Sequence, residues 1–124
     1  MSNPAPGFSQ RPDHTLRFET CQAQATHGTT VVARSDKAIK LFEASYPPVI
    51  YFPAADRVET HFASEADHST YCPFKGHASY WNLIGTDGTD GKRSVWSYEE
   101  PYDECEGIRG YVAFYGDRVT VEEL

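Results

Sequence analysis

The run Thr70-Tyr71-Cys72-Pro73-Phe74-Lys75-Gly76 places three groups able to do chemistry in one short segment. Cys72 is a candidate sulfur nucleophile, because a thiol of ordinary pKa about 8.5 ionises more readily beside a cation such as Lys75, provided it also reaches solvent. Lys75 could itself anchor a phosphate or carboxylate, or act as an amine nucleophile if desolvated. Thr70 adds a hydroxyl that both donates and accepts. Pro73 fixes its own φ and biases Cys72 toward extended backbone, while Gly76 admits a turn or a close ligand approach. The segment therefore reads as one shaped to present side chains, with Thr70, Cys72 and Lys75 as candidate catalytic residues. The plainer reading of the same residues is a small buried thiol, a surface lysine and an ordinary Pro-Phe-Lys-Gly turn.

Aromatic residues make up 14% of the chain, a surplus that calls for a role. Tyr51, Phe52, Phe74, Tyr80, Trp96 and Tyr98 could wall a concave pocket with a few polar groups at its base. Tyr and Trp carry polar tips, so several of them facing one cleft would stack a planar ligand while Arg34, Arg57 and Lys75 met its charge. Arg34, Tyr51, Arg57, Tyr80, Trp96 and Tyr98 are accordingly the candidate ligand-binding residues. Two functions of different class follow. One is a binding module for a small planar or anionic molecule. The other is a Cys72-dependent enzyme, a transferase or redox catalyst, in which Lys75 lowers the thiol pKa and Thr70 orients the substrate.

Other chemistries lack their required residues. Gly85, Gly88 and Gly91 are not followed by the Lys-Ser/Thr of a phosphate-binding loop and sit between strand-like runs, so they read as a hairpin loop. His61, His68, Cys72 and His77 form the only His/Cys cluster, at separations that fit no zinc pattern, and no metal site is predicted. No Gly-x-Ser-x-Gly elbow of a serine hydrolase is present. The formal net charge of -7 argues against nucleic acid and anionic membranes as partners. No run approaches the roughly 18 apolar residues of a membrane span. Met1 to Gln10 lacks the features of a signal peptide, and three cysteines at unrelated spacings suit a reducing compartment, so the expected location is cytoplasmic.

The elements that must position these residues are short strands. A chain of 124 residues fits one domain, read here as a single mainly β unit over residues 14–124 behind a flexible leader, residues 1–13. Thr29 to Ala33 and Ala38 to Phe42 read as strands joined by a turn at Arg34-Ser35-Asp36-Lys37. Val49 to Phe52 is a short apolar strand ended by Pro53, and Val58 to Phe62 reads as a return strand. Ser64 to Ser69 reads as a polar connection. Ala78 to Ile84 and Arg93 to Tyr98 flank the loop Gly85 to Gly91, and Tyr111 to Tyr115 and Val119 to Glu122 flank Gly116-Asp117 as a tight hairpin. Seven or eight short strands predict a sheet stack or open barrel. Exposed strand edges and the aromatic surplus are compatible with a homodimer.

Several linked motifs occur in one order: Tyr51-Phe52-Pro53, then Thr70-x-Cys72-Pro73-x-Lys75-Gly76-x-Ala78-Ser79-Tyr80, then Trp96-Ser97-Tyr98-x-x-Pro101 and Ala113-Phe114-Tyr115. Together they resemble domain-of-unknown-function family four-two-seven, which some classifications label nucleotidyltransferase-like, over about Thr29 to Val121. The resemblance implies a compact mainly β domain related to β-tent folds such as methionine sulfoxide reductase B, and it implies no particular activity, ligand or cofactor. The zinc-binding Cys pairs common in β-tent proteins are missing from this sequence. Nucleotidyl transfer would call for paired carboxylates to hold magnesium near the phosphates. Asp56 and Asp67 are the nearest acidic candidates, and each reads equally as a turn residue.

Overall fold

Alternation of small inward side chains with polar outward ones builds the first hairpin. In the computed structural model, which describes residues 2–124, β1 (Leu16–His27) and β2 (Thr30–Glu43) pair antiparallel along almost their whole length. Ala23, Ala25 and His27 of β1 point inward, as do Val32, Ala33 and Ala38 of β2. The two-residue loop between the strands has Gly28 at its first position with φ 66, a conformation that glycine adopts without strain. Alanine has modest strand propensity, and this is why β1 does not stand out in the sequence. Its period-two burial becomes evident only once the facing sheet is in place.

Six further strands follow: β3 (Val49–Tyr51), β4 (Phe62–Cys72), β5 (Gly76–Leu83), β6 (Val95–Ser97), β7 (Val112–Phe114) and β8 (Thr120–Glu123). They complete two four-stranded antiparallel sheets, ordered β3-β2-β1-β8 and β4-β5-β6-β7. The protein is thus a mainly β domain built as a stack of two sheets. Helical structure is limited to α1 (Gly7–Gln10) and short 3₁₀ segments at Ala54–Asp56, Glu59–His61 and Asp103–Ile108. No helix among the described residues is long and apolar enough to cross a membrane.

Four local expectations need correction. Arg34 to Lys37 is not a turn but a bulge inside the continuous β2, where Ser35 faces Ala23 and Ala38 faces Cys21. The Ser35 hydroxyl accepts the Lys37 N–H at 2.9 Å and donates to Asp56 at 2.6 Å, so turn-forming side chains here satisfy a bulge. Val58 to Phe62 is mostly a 3₁₀ turn, whereas Ser64 to Ser69, expected as a connection, belongs to β4 and bulges opposite Tyr80. The strands beside Gly116-Asp117 do not pair with each other. β7 pairs with β6 and β8 with β1, so this loop carries the chain from one sheet to the other.

Within the stretch read as a flexible leader, Asn3, Ala5 and Gly7 are hydrogen-bonded to the domain. Asn3 N–H donates to Asp103 at 2.7 Å, Ala5 N–H to Glu104 at 2.8 Å, and Gly7 N–H to the Pro73 carbonyl at 3.0 Å. Opposite this, the loop Gly85 to Gly91 does more than join two strands. Buried His27 donates from Nε2 to the Thr89 carbonyl at 2.8 Å, and Asp87 accepts the Thr29 N–H at 2.8 Å, so the loop ties one sheet to the hairpin of the other.

The sheets close on each other where β3 meets β7. Phe52 and Val112 exchange both backbone hydrogen bonds, at 2.7 and 2.8 Å, in an isolated antiparallel bridge. One core cluster gathers Phe52, Phe114, Val32, Val95 and the alanines of β1 and β2. The other gathers Leu41, Tyr51, Tyr80, Tyr98, Cys105 and Ile108. The aromatic strands are therefore partly core, and the site described next is the open side of the second cluster.

Candidate functional site

The Thr70 to Gly76 segment is the tip of the β4–β5 hairpin. Cys72 pairs with Gly76, and Pro73, Phe74 and Lys75 make the turn between them. Gly76 has φ 113, a backbone state that side chains other than hydrogen rarely tolerate. Successive side chains of this tight turn leave in different directions. Phe74 packs away from the cleft, stacked on His14 with ring centroids 3.8 Å apart and edge-on to Phe8 at 5.0 Å. Lys75 turns the other way, into a cavity.

That cavity has a volume of about 240 Å³ and is walled by Tyr51, Tyr80, Trp96, Tyr98, Tyr115 and the exposed Tyr46, with Leu41, Val49 and Pro47 completing it. Strands from both sheets supply the walls. Tyr51 stands edge-on to Trp96 at 6.2 Å, and Trp96 lies 4.6 Å from Tyr115. Lys75 and Glu43 sit together at the base. The ammonium donates to Glu43 Oε1, and His14 Nε2 donates to Glu43 Oε2 at 2.8 Å. Glu43 is the last residue of β2, and the Ala44 N–H bond to the Thr15 carbonyl, 2.8 Å, holds it beside His14.

The electrostatics of this base are nearly self-contained. Burial pushes the Glu43 carboxyl up, but hydrogen bonds from Lys75 and His14, with their charges, outweigh it and hold it below the usual carboxylate range. The Lys75 ammonium is 5.9 Å from the centre of the Tyr98 ring, close enough for a cation–π attraction. Burial raises the Tyr51 and Tyr98 phenols well above their ordinary value, so both stay protonated and uncharged. The Tyr115 phenol is pushed up to about 12, first by burial and then by the Tyr80 hydroxyl. A cationic floor is thereby offset by an adjacent carboxylate beneath neutral phenols.

Of the expected ligand-binding residues, Tyr51, Tyr80, Trp96 and Tyr98 converge on this cavity together with Lys75. Arg34 and Arg57 do not. Arg34 is exposed beside the β2 bulge in a groove with Asp36 and Asp56, and Arg57 donates to the Ala54 carbonyl at 3.0 Å with its guanidinium over Phe62. Phe52 and Phe74, also expected as walls, are spent on the core and on the N-terminal segment. Thr70 is exposed and reaches the cavity only through Tyr80, whose hydroxyl it meets at 2.9 Å and which in turn meets Tyr115 at 3.2 Å.

Cys72 is half-buried against the second core cluster and is not part of the cavity wall. The cation expected to activate it is engaged by Glu43. Cys105, behind the turn, is fully buried, and burial pushes its thiol up to about 12. Iodoacetamide at pH 8 should therefore leave Cys105 unlabelled in the native protein and label it on unfolding, as peptide mapping would read; native labelling of Cys105 would contradict its burial. The rate of Cys72 labelling against pH in the same experiment measures whether that thiol is activated. Among the described residues, no group of three or more His, Cys, Asp and Glu side chains is placed to hold a metal ion.

Glu43, His14, Tyr46 and Tyr115 are among the site residues that sequence reasoning missed. Tyr115 was inside a noted motif, but nothing local says that its ring faces Trp96. Glu43 closes a strand and His14 precedes one, positions where polar residues are ordinarily solvated. The long-range pairing of β1 with β2 brings the two together, and the stacking of the sheets brings them to Lys75.

No curated protein matches the chain. The family described as "Domain of unknown function (DUF427)" matches residues 15–123. That span contains every wall of the cavity and the Lys75–Glu43 pair, leaving only His14 just outside, and the chain belongs to this family.

Proposed function

We propose that the protein is a small-molecule-binding domain whose ligand is planar, uncharged and equipped with a hydrogen-bond acceptor. The observation that carries this reading is the convergence of six aromatic side chains on one cavity lined also by an ion pair rather than a lone cation. Aromatic walls favour a flat partner that can stack or meet ring edges. An ammonium already paired with a carboxylate has little net charge to offer an anion, yet it retains N–H donors for a carbonyl or ring nitrogen. The Tyr80–Tyr115 hydroxyl pair adds neutral donors and acceptors at the wall.

A thermal-shift comparison of neutral planar compounds with their carboxylate counterparts tests the reading: benzamide and nicotinamide against benzoate and nicotinate. A ligand at 100 times its Kd stabilises by about 2.7 kcal/mol. At this chain length that is roughly a 10 °C rise in Tm. The neutral members should raise Tm, and Trp96→Leu should abolish the rise. Stabilisation by the carboxylates alone, or an unchanged rise in Trp96→Leu, would count against this ligand class or this site.

A further inference from the structure

A second space adjoins the cavity at Trp96. Beyond the Phe52–Val112 bridge, continuing the same register would set Ile50 against Phe114 and Val49 against Tyr115. Among the described residues no bridge forms at either pair, so β3 and β7 part company there. The gap between them is a second groove of about 450 Å³, lined by Pro48, Ile50, Phe114, Val119 and Val121 among others. Val49, Trp96 and Tyr115 belong to both spaces. The two spaces adjoin along these three side chains, with the Trp96–Tyr115 contact at their boundary.

Their linings differ in kind. The first chamber contains Lys75, Glu43 and the tyrosine hydroxyls, whereas no Asp, Glu, Lys, Arg or His lines the second. We infer that the ligand is amphiphilic, with a planar polar head in the first chamber and an apolar chain running past Trp96 and Tyr115 into the second. This rests on the binding reading above and adds the class of molecule. A small molecule is favoured over a protein segment because the polar space is a cavity of only about 240 Å³ lined by a mostly buried ion pair, and the apolar space adjoins it across three shared side chains. An alkyl or acyl chain fits the physics of the second chamber, since each methylene removed from water contributes about 0.8 kcal/mol, close to fourfold in affinity.

The test is calorimetric titration with benzamides bearing methyl, butyl or octyl groups at the 4 position. Affinity should rise at least tenfold from methyl to octyl. Ile50→Asn and Val121→Thr, on β3 and β8, should each flatten that rise while leaving the affinity for 4-methylbenzamide within about twofold. Affinity independent of chain length, or a chain-length gain that survives in both variants, overturns the amphiphile inference and leaves the head-group reading standing. Failure of every member to bind, 4-methylbenzamide included, overturns both. Circular dichroism of the variants separates lost binding from lost folding, and the methyl compound serves as the internal control for an intact first chamber.

Discussion

Lys75→Met is expected to destabilise the protein by about 3 kcal/mol, the lower end of the range for breaking a buried ion pair, because it strands the Glu43 carboxylate. The lower end applies because Glu43 keeps 19% of its side chain exposed, against 10% for Lys75. Urea unfolding at pH 7 measures the loss. Glu43→Leu alone should also destabilise, whereas the double variant Lys75→Met/Glu43→Leu should recover most of the loss, since a matched apolar pair avoids desolvating either charge. A double variant as unstable as the sum of the single ones would mean that the two side chains do not interact. The pH dependence has a definite sign. Glu43 titrates lower in the folded protein than its ordinary value of 4.5, so its contribution is present above that value and is lost as pH falls through the folded pKa. The wild type should lose stability below about pH 4.5 more steeply than Glu43→Gln.

A consequence follows for binding experiments. Because Lys75 supports the fold as well as lining the cavity, truncating it confounds lost affinity with lost stability. Trp96 is the cleaner probe, being partly buried at the partition between the chambers and outside the ion pair.

Phe52→Ala should have the larger effect on the fold, about 3–5 kcal/mol, as for other fully buried aromatic truncations. Phe52 is 0% exposed, sits edge-on to Phe114 at 5.6 Å, and belongs to the core cluster that includes the four buried alanines Ala23, Ala25, Ala33 and Ala38. Those small side chains cannot expand into the space left by the ring. Alanine keeps the backbone bridge to Val112 that closes β3 on β7, so the loss comes from the packing of the ring. Differential scanning calorimetry should find Tm lower by roughly 12 to 20 °C, at about 4 °C per kcal/mol for a chain of this length. A fall under a few degrees would mean that the site collapses around the cavity. Phe52→Leu, which refills part of the volume, should recover about half of the loss.

How much of this was legible before folding depends on the range of the interaction that decides each element. β5, β6 and the strand at Val49 carry β-branched and aromatic residues between turn formers, and each reads correctly from its own neighbours. β1 has its inward positions filled by Ala23, Ala25 and His27, whose burial is imposed by the opposing sheet, so no local propensity announces it. Arg34 to Lys37 has the composition of a turn, but the pairing of β1 and β2 on both sides holds it as a bulge. The same division runs through the site. Its hairpin tip and four of its aromatic walls could be named from residue type and spacing.

The linear order of residues determined that Pro73 and Gly76 would restrict the backbone around Lys75 and that Tyr51, Tyr80, Trp96 and Tyr98 would lie on strands. Those are matters of backbone sterics and strand propensity, which act between neighbours. Tertiary structure alone decided that Lys75 meets Glu43 rather than Cys72, that Phe74 turns back onto His14, and that Arg34 and Arg57 stay away. Glu43 and Lys75 are far apart along the chain and meet because two sheets stack, and that contact replaces a bare cation with an ion pair and so changes the kind of molecule the cavity suits.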